Sequence, residues 1–450
     1  MRLMFVLDTS QQSAQALACL RAAQLSIAAR SPGTFQLRVA TVRQAGMSET
    51  AVANIESTFS RLFMHDDPRI DLLVLDAGQL MPYDHRRPIS VDQRQSERQE
   101  WLLRGHLATE EPCAVNFASH GYWQLAELAL QALRWKGGVD AIISAECQVD
   151  RRRYLAWSRR ALRNADLLGV RPIHSCATSL LEGMSELRTR YLNLLQGQGL
   201  AVQPPPTADV EADHRPALRF IPIDDLVFDC DTSQGERLNR FLLNRFDEHA
   251  FSSERSGTAN PLLLAHLQGL RAEFVDNTRY RMGIDEYLQQ TRRLMRCKGV
   301  SAARQARLFN AWQPAALEQR RAEANDFTQR AYGLSETQLV CQLFSPFVAQ
   351  GQKLDVFLRR CHPGMLVALP YLLKALRGQP APEPVAQWLV DISGLPLEML
   401  QSLYSRQPLA QRPSDCLLAS LQVRGADLRH LQAWAASDIQ FEGSQVGVRR

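Results

Sequence analysis

The stretch 115-VNFASHGYWQLAELALQALRWKGG-138 decides which fold we expect for this chain. Its apolar start predicts a strand over 113–117, and the residues after the His-Gly pair are apolar at helical spacing over 122–136. Two glycines close this run, as is typical of a helix end, and a second strand is expected at 139–145. Strand, helix and strand in this order predict a βαβ unit in a parallel sheet.

The same alternation continues on both sides of this stretch. Further strands are expected at 2–7, 37–42, 70–78 and 166–170, and further helices at 11–30, 50–63 and 151–164. Because helices that connect parallel strands cross over with a fixed right hand, this succession predicts an α/β fold around a parallel sheet.

Length indicates more than one domain. At 450 residues the chain is too long for one ordinary core, so two or three domains are expected. The segment 202-VQPPPTADVEADHRP-216 combines four prolines with acidic and polar residues and is the best candidate for a linker. We therefore expect an N-terminal domain at 1–201, a linker at 202–217 and a C-terminal domain at 218–450.

The C-terminal half is expected to be rich in helix. Residues 218–231 have strand character, and the chain from about 235 to 330 is mostly helical in pattern. A second α/β-like segment is expected from 332 onward, with a strand at 338–345 and a helix at 353–360.

The net charge of the chain excludes few classes of function. The chain has 52 basic and 47 acidic residues, a net charge of +5, which does not by itself indicate nucleic acid, and none is expected as a partner. Most basic residues are arginines, as in 151-RRRYLAWSRRALR-163. We interpret these arginines as solvated helix faces; the alternative is that they bind phosphate or an acidic partner.

The spacing of the cysteines and the length of the apolar runs indicate which class of protein to expect. Nine scattered cysteines without a CxxC pair favour neither a disulfide framework nor a zinc site. No apolar run approaches about 20 residues, so we expect no transmembrane segment. The start, MRLMFVLDTS, lacks the apolar length of a signal peptide and predicts a first strand. A cytoplasmic protein is expected.

Two loops stand out as candidate sites. If 113–117 is a strand, Ser119, His120 and Gly121 lie at its carboxyl end, where open parallel sheets bind ligands and where the next helix could face an anion. The alternative is a loop histidine that bonds only its neighbours. Asp8 and Thr9 follow the first strand in an equivalent position, but this loop has no glycine, so helix capping by Thr9 or Ser10 is favoured over phosphate binding.

Weaker candidates lie elsewhere. His174 and Ser175 follow the strand expected at 166–170 and suggest the rim of a site. Lys353 lies at the start of the helix expected at 353–360, after the strand expected at 338–345. There it would either bind a diphosphate or lie on the surface. Asp229 and Asp231 could share a cation, although a solvated strand end is favoured and no metal site is expected.

The order of elements resembles a GT-B glycosyltransferase of the glycogen-synthase-like branch, two Rossmann-like domains facing each other across a cleft. The similar segments are RLMFVLDTS with the helix after it, 115-VNFASHGYWQLAELALQALRWKG-137, 151-RRRYLAWSRRALRNADLLGVRPIHSCATSLLEG-183, 331-AYGLSETQLVCQLFSPFVAQGQKLDVFLRR-360 and 426-ADLRHLQAWAASDIQF-441. Together they cover about a third of the chain. This resemblance implies α/β folding in both halves, with a helix-rich middle and C-terminal part.

The resemblance also implies an activity. A sugar would pass from a nucleotide-sugar donor to a glycan or protein acceptor along the N-terminal domain. His120 would be the catalytic residue, stabilising charge or orienting a hydroxyl. Lys353 and Glu442 would bind the donor, and Asp8, Thr9, Ser119, Gly121, His174 and Ser175 would line the cleft. No metal or other cofactor is implied.

The chain also departs from the family pattern. The DTS loop lacks the family's glycines, 345-SPFVAQGQK-353 lacks its arginine, and Glu442 alone stands where the family has two glutamates. These departures keep two alternatives open. One is a non-catalytic GT-B-like scaffold that binds another enzyme or a glycan; the other is a doubly wound enzyme of a different kind.

Overall fold

The structure is a computed structural model that describes residues 1–31, 33–108, 114–145, 148–167, 177–197, 218–224, 233–245, 260–297 and 302–409. Its strands are β1 (Arg2–Val6), β2 (Gln36–Val42), β3 (Ile70–Asp76), β4 (Gln79–Pro82), β5 (Ala141–Ser144) and β6 (Arg219–Pro222). They form one sheet in the order β4-β3-β2-β1-β5-β6, in which every pair is parallel except the hairpin of β3 and β4.

Helices connect and cover these strands. Those that accompany the sheet are α1 (Gln11–Arg30), α2 (Glu49–Arg61), α3 (Val91–Leu107), α4 (Ala114–Arg134), α5 (Gln148–Asn164), α6 (Ala177–Gln196) and α7 (Ser233–Phe241). The later ones are α8 (Pro261–Leu270), α9 (Tyr280–Cys297), α10 (Ala302–Asn310), α11 (Leu317–Tyr332), α12 (Glu336–Phe344), α13 (Leu354–Cys361), α14 (Leu369–Leu376), α15 (Glu383–Ser393) and α16 (Leu397–Tyr404). None of the helices described is both long and apolar enough to cross a membrane.

The sheet buries both of its faces. Successive strand residues point to opposite faces, so Leu3 and Phe5 pack in one apolar cluster with α1 and α2, while Met4 packs in another with α3, α4, α5 and α6. The chain therefore winds from β1 through β2 to β3 with helices on one face, and from β5 to β6 with helices on the other. This is a doubly wound sheet, and its strand order reverses between β1 and β5.

A buried arginine holds the end of α4. Arg38 on β2 is 4 % exposed and donates to the carbonyl oxygens of Trp135 (2.8 Å) and Gly138 (2.9 Å), and it also pairs with Asp71 (3.1 Å). Gly138 has a φ of 74°, a conformation that favours glycine. The two glycines that close the stretch 115–138 thus form a turn. Hydrogen bonds from Arg38 hold this turn against the sheet.

The helices α8 to α16, which we call the helical half, pack directly on the sheet half, which comprises the six strands and α1 to α7. The contact is made through α3. The indole of Trp101 stacks on the ring of Tyr332 at 5.4 Å between centroids, and its Nε1 donates to Oε1 of Gln342 (3.0 Å). A single apolar cluster extends from Met4 in β1 through these contacts to Leu409. The two halves therefore share one core.

Several expectations are confirmed. The strands expected at 2–7, 37–42, 70–78 and 139–145 are present with small shifts at their ends, as are the helices expected at 11–30, 50–63, 151–164 and 353–360. The chain is a mixed α/β protein with a mostly parallel sheet. The linker at 202–217 lies outside the described residues, as does most of the strand expected at 166–170.

Two expected strands are wrong. Residues 114–134 form one helix, so the strand predicted at 113–117 does not precede it, and 336–344 is the helix α12. Short apolar runs fit a buried helix as well as a buried strand, which is why the pattern misled. In α12 the start is fixed by Ser335 and Gln338, which form a capping box.

The second Rossmann-like domain is not confirmed. Within 233–245, 260–297 and 302–409 the structure contains helices and no strand. Strand β6 lies beyond the boundary expected at 218, yet it is parallel to β5 at the edge of the first sheet. The sheet half thus extends past the expected linker.

Candidate functional site

A small pocket lies where the first strand ends, beside the point at which the strand order reverses. Open α/β sheets bind their ligands at this place, beyond the carboxyl ends of the strands. The pocket is lined by Leu7, Asp8, Thr9, Ser10, Gln11, Ala14, Asn54, Ile55, Thr58 and Asn244. Its empty space is about 250 Å³, a figure that includes the part open to solvent.

The loop after β1 is ordered by its own side chains. Oδ1 of Asp8 accepts hydrogen bonds from the backbone N–H (2.8 Å) and the hydroxyl (2.5 Å) of Ser10. The Ser10 hydroxyl oxygen accepts from the N–H of Ser13 (3.1 Å), so Ser10 is the N-cap of α1, one of the two capping residues expected. The Ser13 hydroxyl accepts from the N–H of Asp8 (3.2 Å) and donates to the carbonyl of Val6 (3.3 Å). These bonds fix the loop without a glycine.

The opposite wall comes from α2 and from the residues that follow α7. Asn54 is bound on both sides by Arg245, whose N–H donates to Oδ1 (2.8 Å) and whose carbonyl accepts from Nδ2 (3.0 Å). The hydroxyl of Thr58 donates to the carbonyl of Asn54 (2.8 Å) and lies 3.5 Å from Oδ1 of Asn244. The segment 242–245 therefore closes the side of the pocket that faces α2.

Further polar bonds hold α7 against α1. The side chain of Gln15 donates to the carbonyl of Gly235 (3.4 Å) and to Oδ1 of Asn239 (3.3 Å). Asn239 in turn donates to Oε1 of Gln11 (3.3 Å). Hydrogen bonds between uncharged groups thus hold α7 against α1. The buried Leu242 belongs to the apolar cluster on the same side.

The lining chemistry suits hydroxyl groups better than phosphate. Its polar part consists of one carboxylate, three hydroxyls and three side-chain amides, its apolar part of Leu7, Ala14 and Ile55, and it includes no lysine or arginine. A phosphate would meet the charge of Asp8 without a side-chain cation among these lining residues to balance it. Sugar or ribose hydroxyls can donate to the carboxylate and exchange bonds with the hydroxyls and amides.

Of the expected site residues that the structure describes, Asp8 and Thr9 line this pocket. Ser119, His120 and Gly121 lie on the helix α4, whose side chains pack on the other face of the sheet, and their own side chains are outside the description. The expectation of a strand-end loop around His120 is therefore wrong, because the backbone there is helical.

Of the remaining expected residues, the described part of the chain contains Lys353. Lys353 is exposed in the helical half, at the N-cap of α13, and does not line the pocket. His174, Ser175 and Glu442 lie outside the described residues, as do Asp229 and Asp231. No group of His, Cys, Asp or Glu in the described residues could hold a metal ion.

Sequence reasoning missed Asn54, Thr58 and Asn244. Asn54 and Thr58 are four residues apart on α2, in a turn whose neighbours Ile55 and Phe59 are buried. An Asn and a Thr in the middle of a helix are poor helix formers, and this was the available signal. Asn244 lies far away in sequence, and only the packing of α7 brings it to the pocket.

Two buried histidines, His106 on α3 and His266 in the helical half, do not form a second site. His266 is fully buried, with Nδ1 2.8 Å from the Tyr280 hydroxyl and Nε2 3.0 Å from Oδ1 of Asn325, and burial lowers its pKa to about 4. His106 at the end of α3 is also fully buried, against Phe347, and burial lowers its pKa to about 3. Both imidazoles are therefore neutral near pH 7 and belong to the core.

No protein-family model matches the chain, and no curated protein or solved structure matches it. The functional argument therefore rests on the pocket and on its position in the sheet.

Proposed function

We propose that the chain binds a small polyhydroxyl ligand, a sugar or the ribose of a nucleotide, in the pocket at the end of β1. The observation that carries this proposal is the lining: a carboxylate, hydroxyls and amides, without a cationic side chain. Asp8 would accept hydrogen bonds from ligand hydroxyls, since its Oδ1 is already held by Ser10 and the side chain is fixed in place.

Glycosyl transfer from a nucleotide sugar to a glycan or protein acceptor is the finer form of this proposal. It is supported by the family resemblance and by a pocket that suits a sugar on the N-terminal side of the chain. The role given to Lys353 as a donor ligand has less support, because the strand expected before it is the helix α12.

One observation favours a second candidate, a non-catalytic scaffold that binds another enzyme or a glycan. The helical half packs on α3 in a core shared with the sheet, whereas a GT-B enzyme needs two domains separated by a cleft. In this case the pocket would bind its ligand without chemical turnover.

Calorimetry and thermal melting with a panel of ligands test the binding proposal. The panel is uridine, UDP, UDP-glucose, GDP-mannose, TDP-glucose, glucose and maltose, with inorganic phosphate and pyrophosphate as controls. A ligand present at about 100 times its Kd should stabilise the protein by about 2.7 kcal/mol. We expect at least one hydroxyl-bearing ligand to bind and the inorganic anions not to bind.

The variant Asp8→Asn connects any binding to this pocket. The Asn carbonyl oxygen can still accept from Ser10, so the loop keeps its shape while the charge is lost. Loss of charge-assisted bonds should weaken binding about 10-fold or more. The control is Asp66→Asn, which changes an exposed residue outside the pocket. Equal affinity in both variants, or binding of phosphate alone, would refute the proposal.

Product analysis separates the enzyme from the scaffold. Incubation with each nucleotide sugar, followed by mass spectrometry for free sugar or a glycosylated acceptor, should show turnover if the finer proposal holds. Binding without product over a long incubation would favour the scaffold.

A further inference from the structure

The helix α5 has one buried side and one strongly basic side. Its inner face places Tyr154, Trp157, Ala161 and Leu162 in the core. The outer face exposes Arg152, Arg159, Arg160 and Arg163, which we call the arginine stripe. Residues 155 and 156, a leucine and an alanine, lie between them on the same face.

Few acidic residues stand near the stripe in sequence. There is no Asp or Glu from 151 to 165, and Asp150 and Asp166 stand at the two ends of this run. Arg151, at the start of this run, pairs with Asp224 (2.7 Å), and on the neighbouring helix α6 Glu186 is paired with Arg190 (2.8 Å). By contrast, Arg152, Arg159 and Arg163 make no ion pair with any of the residues that the structure describes.

The spacing of the stripe fits an extended anion. At about 1.5 Å of rise per residue, Arg152 and Arg163 lie about 16 Å apart along the helix. Arg159 and Arg163 are four residues apart, and like charges at this spacing repel each other. Bound phosphates would relieve this repulsion, and each guanidinium can donate two parallel hydrogen bonds to a phosphate.

We propose that the arginine stripe of α5 binds the sugar–phosphate backbone of a nucleic acid. A line of single-sign guanidinium groups on a convex helix suits a continuous polyanion more than a discrete small ligand, which needs a concave site. Contacts to phosphates carry no sequence information, so binding is independent of base sequence. The net charge of the whole chain is only +5, because acidic residues elsewhere in the sequence offset the charge of these arginines.

Fluorescence anisotropy with labelled 20-nucleotide single-stranded DNA and RNA of random sequence tests this proposal. The variant Arg152→Glu/Arg159→Glu/Arg163→Glu should lower the affinity at least 10-fold at 50 mM salt. Three lost phosphate contacts should also reduce the slope of log K against log salt by about 2. The control Arg30→Glu/Arg61→Glu/Arg86→Glu makes the same change in net charge at exposed arginines elsewhere and should bind almost as the parent does.

The outcomes are distinguishable. Equal loss in both triple variants would show that net charge alone drives binding, and absence of binding by the parent would overturn the proposal. Binding of poly-glutamate as tightly as nucleic acid would assign the stripe to an acidic protein instead. Thermal melts check that each variant folds, and Arg152→Gln/Arg159→Gln/Arg163→Gln provides a milder variant.

Discussion

The contact of α3 with α12 gives the sharpest test of how the two halves are joined. Gly105 on α3 lies directly against the side chain of Gln342, and a Cβ at position 105 would be 1.3 Å from its Nε2 and 2.1 Å from its Cδ. Gln342 is 6 % exposed and accepts from the Trp101 indole (3.0 Å) while donating to the Trp101 carbonyl (3.1 Å). We therefore expect Gly105→Ala to displace Gln342 and to break both hydrogen bonds.

The size of the effect follows from these contacts. Forcing a methyl group into a packed interior costs about 1–3 kcal/mol. Leaving the buried indole N–H without a partner costs about 1–3 kcal/mol more. The free energy of unfolding of Gly105→Ala should thus fall by about 2–6 kcal/mol, measured by urea denaturation followed by tryptophan fluorescence and circular dichroism. The control is Gly364→Ala, where no atom lies within 4 Å of the new Cβ.

A double-mutant cycle shows whether Gln342 is the cause. In a Gln342→Ala background the obstructing side chain is absent, so the further change Gly105→Ala should cost at least 1 kcal/mol less than it does in the parent. Additive effects within about 0.5 kcal/mol, or a Gly105→Ala variant as stable as Gly364→Ala, would refute this account of the junction.

Three other predictions follow from the described contacts. The free energy of unfolding should fall as pH drops below about 6.5, because the unfolded chain takes up protons on His106 and His266 before the folded chain does. The loss levels off near pH 3–4, where the folded histidines titrate. It amounts to about 3 kcal/mol for His266 alone. His106→Leu should flatten this dependence in urea titrations at pH 7 and pH 4.5, and an unchanged slope would contradict it. Arg38→Met should lower stability by about 2–4 kcal/mol by leaving two carbonyls of the turn after α4 without this donor, whereas the exposed Arg61→Met should not. Asp8→Asn should leave the melting temperature of the free protein nearly unchanged while weakening ligand binding, and a large loss of stability would mean that the carboxylate acts in the loop alone.

The sequence predicts the sheet half well because its strands and helices have clear periods. The run 2–7 and the helix at 11–30 have turn residues between them, and apolar spacing alone locates both. The runs at 113–117 and 338–345 are short, apolar and without a strand-specific alternation, so local pattern could not distinguish buried helix from buried strand. For 338–345, contacts with α3 support the helix, since Gln342 exchanges hydrogen bonds with Trp101.

The candidate site is predicted only in part for a similar reason. Asp8 and Thr9 could be located because they follow the first strand, and loops after parallel strands meet at one edge of the sheet. Asn54 and Asn244 come from a helix and from a segment about 190 residues away, and no local pattern connects them. The buried Arg38 shows the same limit: within LRVATV it resembles a solvated strand residue, but it holds the end of α4.

The shared core has a practical consequence for dividing the protein. In α3, Trp101, Leu102 and Leu103 are consecutive and all buried, which is possible only because the sheet half covers one side of the helix and the later helices cover the other. A fragment that ended in the expected linker would uncover Trp101 and its neighbours and would also lose β6 and α7. We expect such a fragment to aggregate or to be degraded, so expression trials, limited proteolysis and binding assays should keep both halves on one chain.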